Sequence, residues 1–102
     1  MSQQTRNKAL LFILCGEVKG VGFRRYAWRV AKTLDLKGYV RNIAGKDCVE
    51  IYLEGQEPVI EEFKNRIVMN KIYRIDHIEV LEQTYVRNYN DFIIIKCLDE
   101  EK

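Results

Sequence analysis

Gly16-Glu17-Val18-Lys19-Gly20-Val21-Gly22-Phe23-Arg24 holds three of the six glycines in a chain of 102 residues. It lies between an unbroken apolar run, Ala9 to Cys15, and a segment of helical periodicity. A loop that leaves a strand, curls its backbone through glycines and enters a helix is suited to an anion. The helix N-terminus offers N–H groups without intrahelical partners and a partial positive charge, and glycine lets the backbone approach closely. Arg24 falls in the first helical turn and adds a planar cation matched to phosphate or carboxylate.

Reading outward from this loop, Ala9–Cys15 has strand length and the composition of a central strand buried on both faces. Phe23, Ala27, Val30, Ala31 and Leu34 recur at spacings of three and four, which predicts a helix over 23–36 with Arg25, Arg29 and Lys32 on its solvated side. Gly38 suits the turn out of that helix. Strands are expected at 38–43 and 48–54. In the second, Val49, Ile51 and Leu53 alternate with Glu50, Tyr52 and Glu54, giving one buried and one wet face. Ala44-Gly45-Lys46-Asp47 has hairpin length. Pro58 fits the first turn of a second helix, carried by Val59, Ile60, Phe63, Ile67 and Asn70, with Glu61 and Glu62 near its N-terminus. Strand character returns after Lys71. Asn88-Tyr89-Asn90-Asp91 reads as a turn, and Phe92–Cys97 as a last apolar run. The order β-α-β-β-α-β, with an extra short strand at the end, predicts an antiparallel sheet with both helices on one face: a ferredoxin-like α+β sandwich.

Composition bounds the rest. With 47% apolar residues and a net charge of +2, the chain reads as a single domain, residues 1–102, with a polar frayed tail at 1–8 and no strong nucleic-acid or membrane field. The apolar run after Arg6 and Lys8 is short for a signal peptide, and Ile13 and Leu14 do not suit a cleavage site. Cys15, Cys48 and Cys97 are odd in number and widely spaced, and read as reduced thiols, hence a cytoplasmic protein, rather than a disulfide frame or metal site.

The loop sequence also resembles the acylphosphatase signature, usually G-x-V-Q-G-V-x-F-R, and Gly38-Tyr39-Val40-Arg41-Asn42 resembles that family's second signature, G-x-V-x-N. Softer similarity extends over Val49-Glu50, Gly55, Phe63, Ile75–Val80 and Phe92–Ile94. The resemblance implies hydrolysis of a carboxyl–phosphate mixed anhydride to a carboxylate and inorganic phosphate, without metal or cofactor. Arg24 would bind the phosphate, with backbone N–H groups of Gly16, Glu17, Val18, Lys19, Gly20, Val21, Gly22 and Phe23 completing the cradle. Asn42, eighteen positions after Arg24, would orient the attacking water. The expected partners are a small-molecule acyl phosphate and inorganic phosphate, with no nucleic acid and no membrane, acting on a monomer. An asparagine can direct a water without titrating, and a good leaving group lets positioning and charge stabilisation dominate.

Two departures stand out. Lys19 occupies the usual glutamine position; its side chain could point outward, leaving the cradle unaffected, or inward, competing with Arg24. The Asn42–Val49 hairpin is one residue longer than is common, which could redirect Asn42 or merely lengthen a turn. His77, the single histidine, falls in a strand far from the loop and reads as a surface or satisfied residue; Cys15 and Trp28 read as packing. Two other functions compete. A non-catalytic anion-binding module of the same fold would bind without turnover, and acylphosphatase-like domains also occur at the start of larger carbamoyltransferases. An RNA-recognition reading of Lys19-Gly20-Val21-Gly22-Phe23 fails because that motif belongs on the third strand.

Overall fold

The computed structural model describes residues 6–20 and 22–95. Chain order is β1 (Asn7–Gly16), α1 (Phe23–Thr33), β2 (Lys37–Asn42), β3 (Cys48–Gln56), α2 (Glu57–Val68), β4 (Ile75–Gln83) and β5 (Phe92–Ile95), and the sheet order is β4-β1-β3-β2-β5. The first four strands pair antiparallel, and β5 adds to β2 in parallel, so the expected ferredoxin-like sandwich carries a mixed sheet. The tail expected at 1–8 is shorter. Asn7 and Lys8 pair with Gln56 and Gly55, and residues 1–5 lie outside the described part of the chain.

Strand alternation sends Phe12, Leu14, Val40, Val49, Ile51 and Leu53 to one face of the sheet. There they form the core with Phe23, Ala27 and Ala31 of α1 and Ile60, Phe63 and Ile67 of α2. Phe12 and Phe63 stack at 6.4 Å between ring centres. Both helices therefore cover the same face. This corrects the reading of β1 as buried on both sides: Leu11, Ile13 and Cys15 point to the other face and are half-buried.

α1 ends three residues earlier than its periodicity predicts. Leu36 N–H bonds Ala31 O at 2.9 Å and Asp35 N–H bonds Lys32 O at 3.1 Å, the paired bonds of a Schellman stop. The left-handed residue of that stop is Asp35, φ 58°, not a glycine. Gly38 has a different job. It sits inside β2, where an added Cβ would come 1.8 Å from Tyr52 O. At the end of α2, the Asn70 side chain donates to Ile67 O and accepts from Ile72 and Tyr73 N–H, terminating the helix.

The open face of β3 is drier than alternation suggests. β4 and β5 lie on opposite edges of the sheet, so the 84–91 connection has to cross β1, β3 and β2, about 19 Å at ordinary strand spacing. It crosses at the Glu54 end, where Glu54 is 2% and Tyr52 8% exposed. Glu54 accepts hydrogen bonds from Tyr52 OH (2.7 Å), Asn88 N–H (2.9 Å) and Tyr89 N–H (3.2 Å). Tyr89 closes a cluster with Tyr39 and Tyr52, at 5.7 and 5.6 Å. The Tyr39 hydroxyl donates to Glu50. Burial, then these hydrogen-bonded carboxylates, push the Tyr39 and Tyr52 hydroxyls above the ordinary tyrosine range.

Candidate active site

β1 leaves the sheet through a bulge between Cys15 and Gly16. Gly16 has φ 149°, and a Cβ there would lie 2.2 Å from Arg74 O, so the loop begins at a crossing that glycine alone fits. Gly16 N–H donates to Asp47 O at 3.0 Å and Glu17 N–H to Arg74 O at 2.8 Å. Both groups, expected in the cradle, instead stitch the loop to its neighbours; the N–H groups of Val18, Lys19, Gly20, Gly22 and Phe23 make no such backbone bond to another described residue, and Val21 lies outside the described residues. Val18 is 1% exposed and anchors the loop in the core.

Gly22 is the N-cap of α1, with no side chain to cap the helix and no acidic residue in the first turn. Phe23 is buried edge-on against Tyr73, at 5.3 Å between rings. That packing fixes the start of the helix and so the root of Arg24. Arg24 is half-buried and engaged with its surroundings.

Asn42 is the last residue of β2. It pairs with Val49, which pairs with Leu14, so it lies at the same end of the sheet as the loop. Alternation with Val40 turns its side chain to the helix-covered face. It is 5% exposed and interacts within the protein, while its Oδ1 accepts no hydrogen bond. Arg24, Asn42 and the loop therefore share one end of the sandwich.

Lys19 is half-buried and reaches the β2–β3 hairpin rather than Arg24. Its Nζ donates to Ile43 O at 3.0 Å and Lys46 O at 2.7 Å, tying the loop sideways to the β2–β3 hairpin. The sequence signal was present in two pieces, the lysine and the longer hairpin, without anything to say that they meet.

The cysteine reading is overturned. Cys15 and Cys48 are directly opposed across β1 and β3, with Cα atoms 4.0 Å apart, and form a disulfide. A separation of 33 residues and an odd count hid a pair that only strand register reveals. With Cys15 and Cys48 oxidised, reduced thiols no longer point to a cytoplasmic location. Cys97 lies outside the described residues. His77 is exposed on β4 opposite Cys15, on the face away from Asn42. A cavity of about 390 Å³ on the disulfide side is lined by Cys15, Glu17, Asp47, Arg74 and Asp76, where Arg74 pairs with Asp76 and Glu17. A larger one, about 500 Å³, lies at the opposite end under the 84–91 crossing, beside Lys37, Glu54 and Arg87. Among the described residues no group of three or more His, Cys, Asp or Glu is gathered to hold a metal, and no helix is long and apolar enough to cross a membrane.

A five-stranded sandwich with a glycine-rich loop feeding α1, an arginine in its first turn and an asparagine closing β2 defines a class of small α+β domains. A model of the acylphosphatase family matches residues 10–94. The chain is 38% identical over 87 residues to the acylphosphatase of Thermotoga maritima, covering 85% of this chain and 96% of that one. The crystal structure of acylphosphatase from Bacillus subtilis superposes with a TM-score of 0.79 at 28% identity, covering 86% of this chain and 98% of that one. The chain is also 40% identical over 92 residues to "Probable carbamoyltransferase HypF" of Methanocaldococcus jannaschii, but spans 12% of that protein's length. The chain belongs to the acylphosphatase family.

Proposed function

We propose that the protein hydrolyses acyl phosphates to a carboxylate and inorganic phosphate, with Arg24 and the backbone N–H groups from Val18 to Phe23 holding the phosphate and Asn42 directing the water. The observation that carries this is the meeting of loop, Arg24 and Asn42 at one end of the sheet. Arg24 supplies a fork for two phosphate oxygens as charge develops on them. Asn42, fixed by the last pair of β2, offers an amide that holds a water in line with the phosphorus. The phosphate of the substrate takes the water's proton, and the departing carboxylate needs no strong acid, so a metal is not required.

Family membership and the high coverage of the Thermotoga relative support this reading. The test is hydrolysis of an aryl acyl phosphate by purified protein with a chelator present, measured against the spontaneous rate. Acceleration that survives the chelator is the expected result; none would favour a module that binds without turnover. The similarity to a carbamoyltransferase favours one more reading, that the site takes carbamoyl phosphate, a mixed anhydride of the same kind. A carbamoyl phosphate arm in the same assay distinguishes them.

A further inference from the structure

The geometry points to Lys19 as a positioning residue for Asn42: its ammonium clamps the 43–47 hairpin to the phosphate loop and so sets the aim of the asparagine. The inference rests on the reading of the site proposed above and gives a side-chain role to a loop position used there only for its backbone.

Four ties join loop and hairpin. The Cys15–Cys48 disulfide and the Gly16 N–H bond to Asp47 O hold the β3 limb. The Lys19 bond to Ile43 O reaches the β2 limb, at the residue that follows Asn42, and the bond to Lys46 O spans the turn. The hairpin's own closure there is long, 3.4 Å from Lys46 N–H to Ile43 O. Residues 44–47 are exposed, with no core packing to fix them. Ile43 N–H is already committed to Cys48 O at 3.0 Å. With its carbonyl held as well, Ile43 is tethered on both sides, through its N–H in the peptide it shares with Asn42 and through its carbonyl in the next.

A lysine in a surface loop usually keeps its rotamer freedom. Two charge-assisted hydrogen bonds to backbone carbonyls justify giving it up. Glutamine is one atom shorter and carries no charge, so reaching both carbonyls would need a shorter hairpin. Side-chain length and turn length thus act as one unit, the lysine bridging the turn.

The experiment measures kcat, KM and phosphate inhibition with an aryl acyl phosphate for Lys19→Met, Lys19→Arg, Lys19→Gln, and Lys19→Gln with Ala44 deleted, alongside deletion of Ala44 alone. Lys19→Met should lower kcat by about ten-fold, the scale of a small misplacement, while KM and phosphate inhibition stay within roughly two-fold. Lys19→Arg should recover most of kcat, because the guanidinium fork can serve both carbonyls. Deleting Ala44 should raise kcat in the Lys19→Gln background and lower it in the unsubstituted protein, a non-additivity that simple destabilisation would not produce. An unchanged kcat in Lys19→Met overturns the clamp. So does a rise in KM and weaker phosphate inhibition at constant kcat, fading with salt, which would mark Lys19 as an anion-steering charge instead. Should Lys19→Met fail to fold, the arginine variant and the deletion pair decide the matter. Absence of turnover in the unsubstituted protein would sink the proposed function itself, an outcome distinct from a turnover that ignores Lys19.

Discussion

Replacing Glu54 by alanine removes the one acceptor shared by Tyr52 OH, Asn88 N–H and Tyr89 N–H, on a side chain that is 2% exposed. A hydrogen bond to a charged group contributes roughly 1.5–3 kcal/mol, and a buried donor left unsatisfied costs about 1–3 kcal/mol. Asn88 is exposed and can rehydrate once the crossing lifts, so the three losses do not simply add. The expected cost is about 3–5 kcal/mol, on the order of 15–25 °C in a domain of this size. Glu54→Gln keeps the shape and one acceptor oxygen but turns an NH2 toward a donor, and should cost about 1–2 kcal/mol. Tyr52→Phe removes one bond of the three, about 1 kcal/mol. Urea unfolding would supply the free energies, with amide exchange at Asn88 and Tyr89 as the local reporter. Glu54 lies six residues along β3 from Cys48, about 20 Å from the loop end of the sheet, so any acyl phosphatase activity should survive below the melting point. A Glu54→Ala protein within about 1 kcal/mol of the parent, with exchange at Asn88 and Tyr89 unchanged, would refute the claim that this carboxylate holds the crossing down.

Arg24→Ala should abolish turnover and weaken phosphate inhibition, with Arg24→Lys recovering little; Asn42→Ala should raise the barrier by roughly 2–4 kcal/mol while phosphate inhibition persists. Equal loss of phosphate affinity in both would refute that division of labour. Because the Tyr39 and Tyr52 hydroxyls are pushed up in the folded state, they favour folding fully below the unfolded tyrosine value near 10, and that contribution is lost as pH rises beyond it. Alkaline titration by ultraviolet absorbance should therefore show two of the six tyrosines ionising only as the protein unfolds. Reducing Cys15–Cys48, which closes a separation of 33 residues, should lower stability by about 3–4 kcal/mol, read as a shift of the urea midpoint with and without reductant.

Most of the architecture was legible because each element repeats one period. Val49, Ile51 and Leu53 announced a strand, Phe23, Ala27 and Ala31 a helix, and Asn42 the end of β2. What stayed hidden depends on groups far apart in the chain. The Cys15–Cys48 bond follows from the β1–β3 register, which neither cysteine's neighbourhood specifies. Tyr52 and Glu54 read as wet because alternation reports a strand's own face and not a segment that later lies across it. Gly38 looked like a helix stop because its real constraint is the carbonyl of Tyr52 on the next strand. At the site, the signature marked the loop as a continuous stretch, but the N–H groups of Gly16 and Glu17 are taken by partners at 47 and 74.

The route of residues 84–91 also orders the assembly of the molecule in time. The segment rests on Tyr39 and Tyr52 and reaches Glu54, so it has nowhere to lie until β1, β3 and β2 are already side by side. In kinetic terms, perturbations at Glu54 and Tyr89 belong on the unfolding limb, leaving the folding rate near that of the parent while the native state is lost faster. The crossing, settling late, would then be the first to lift.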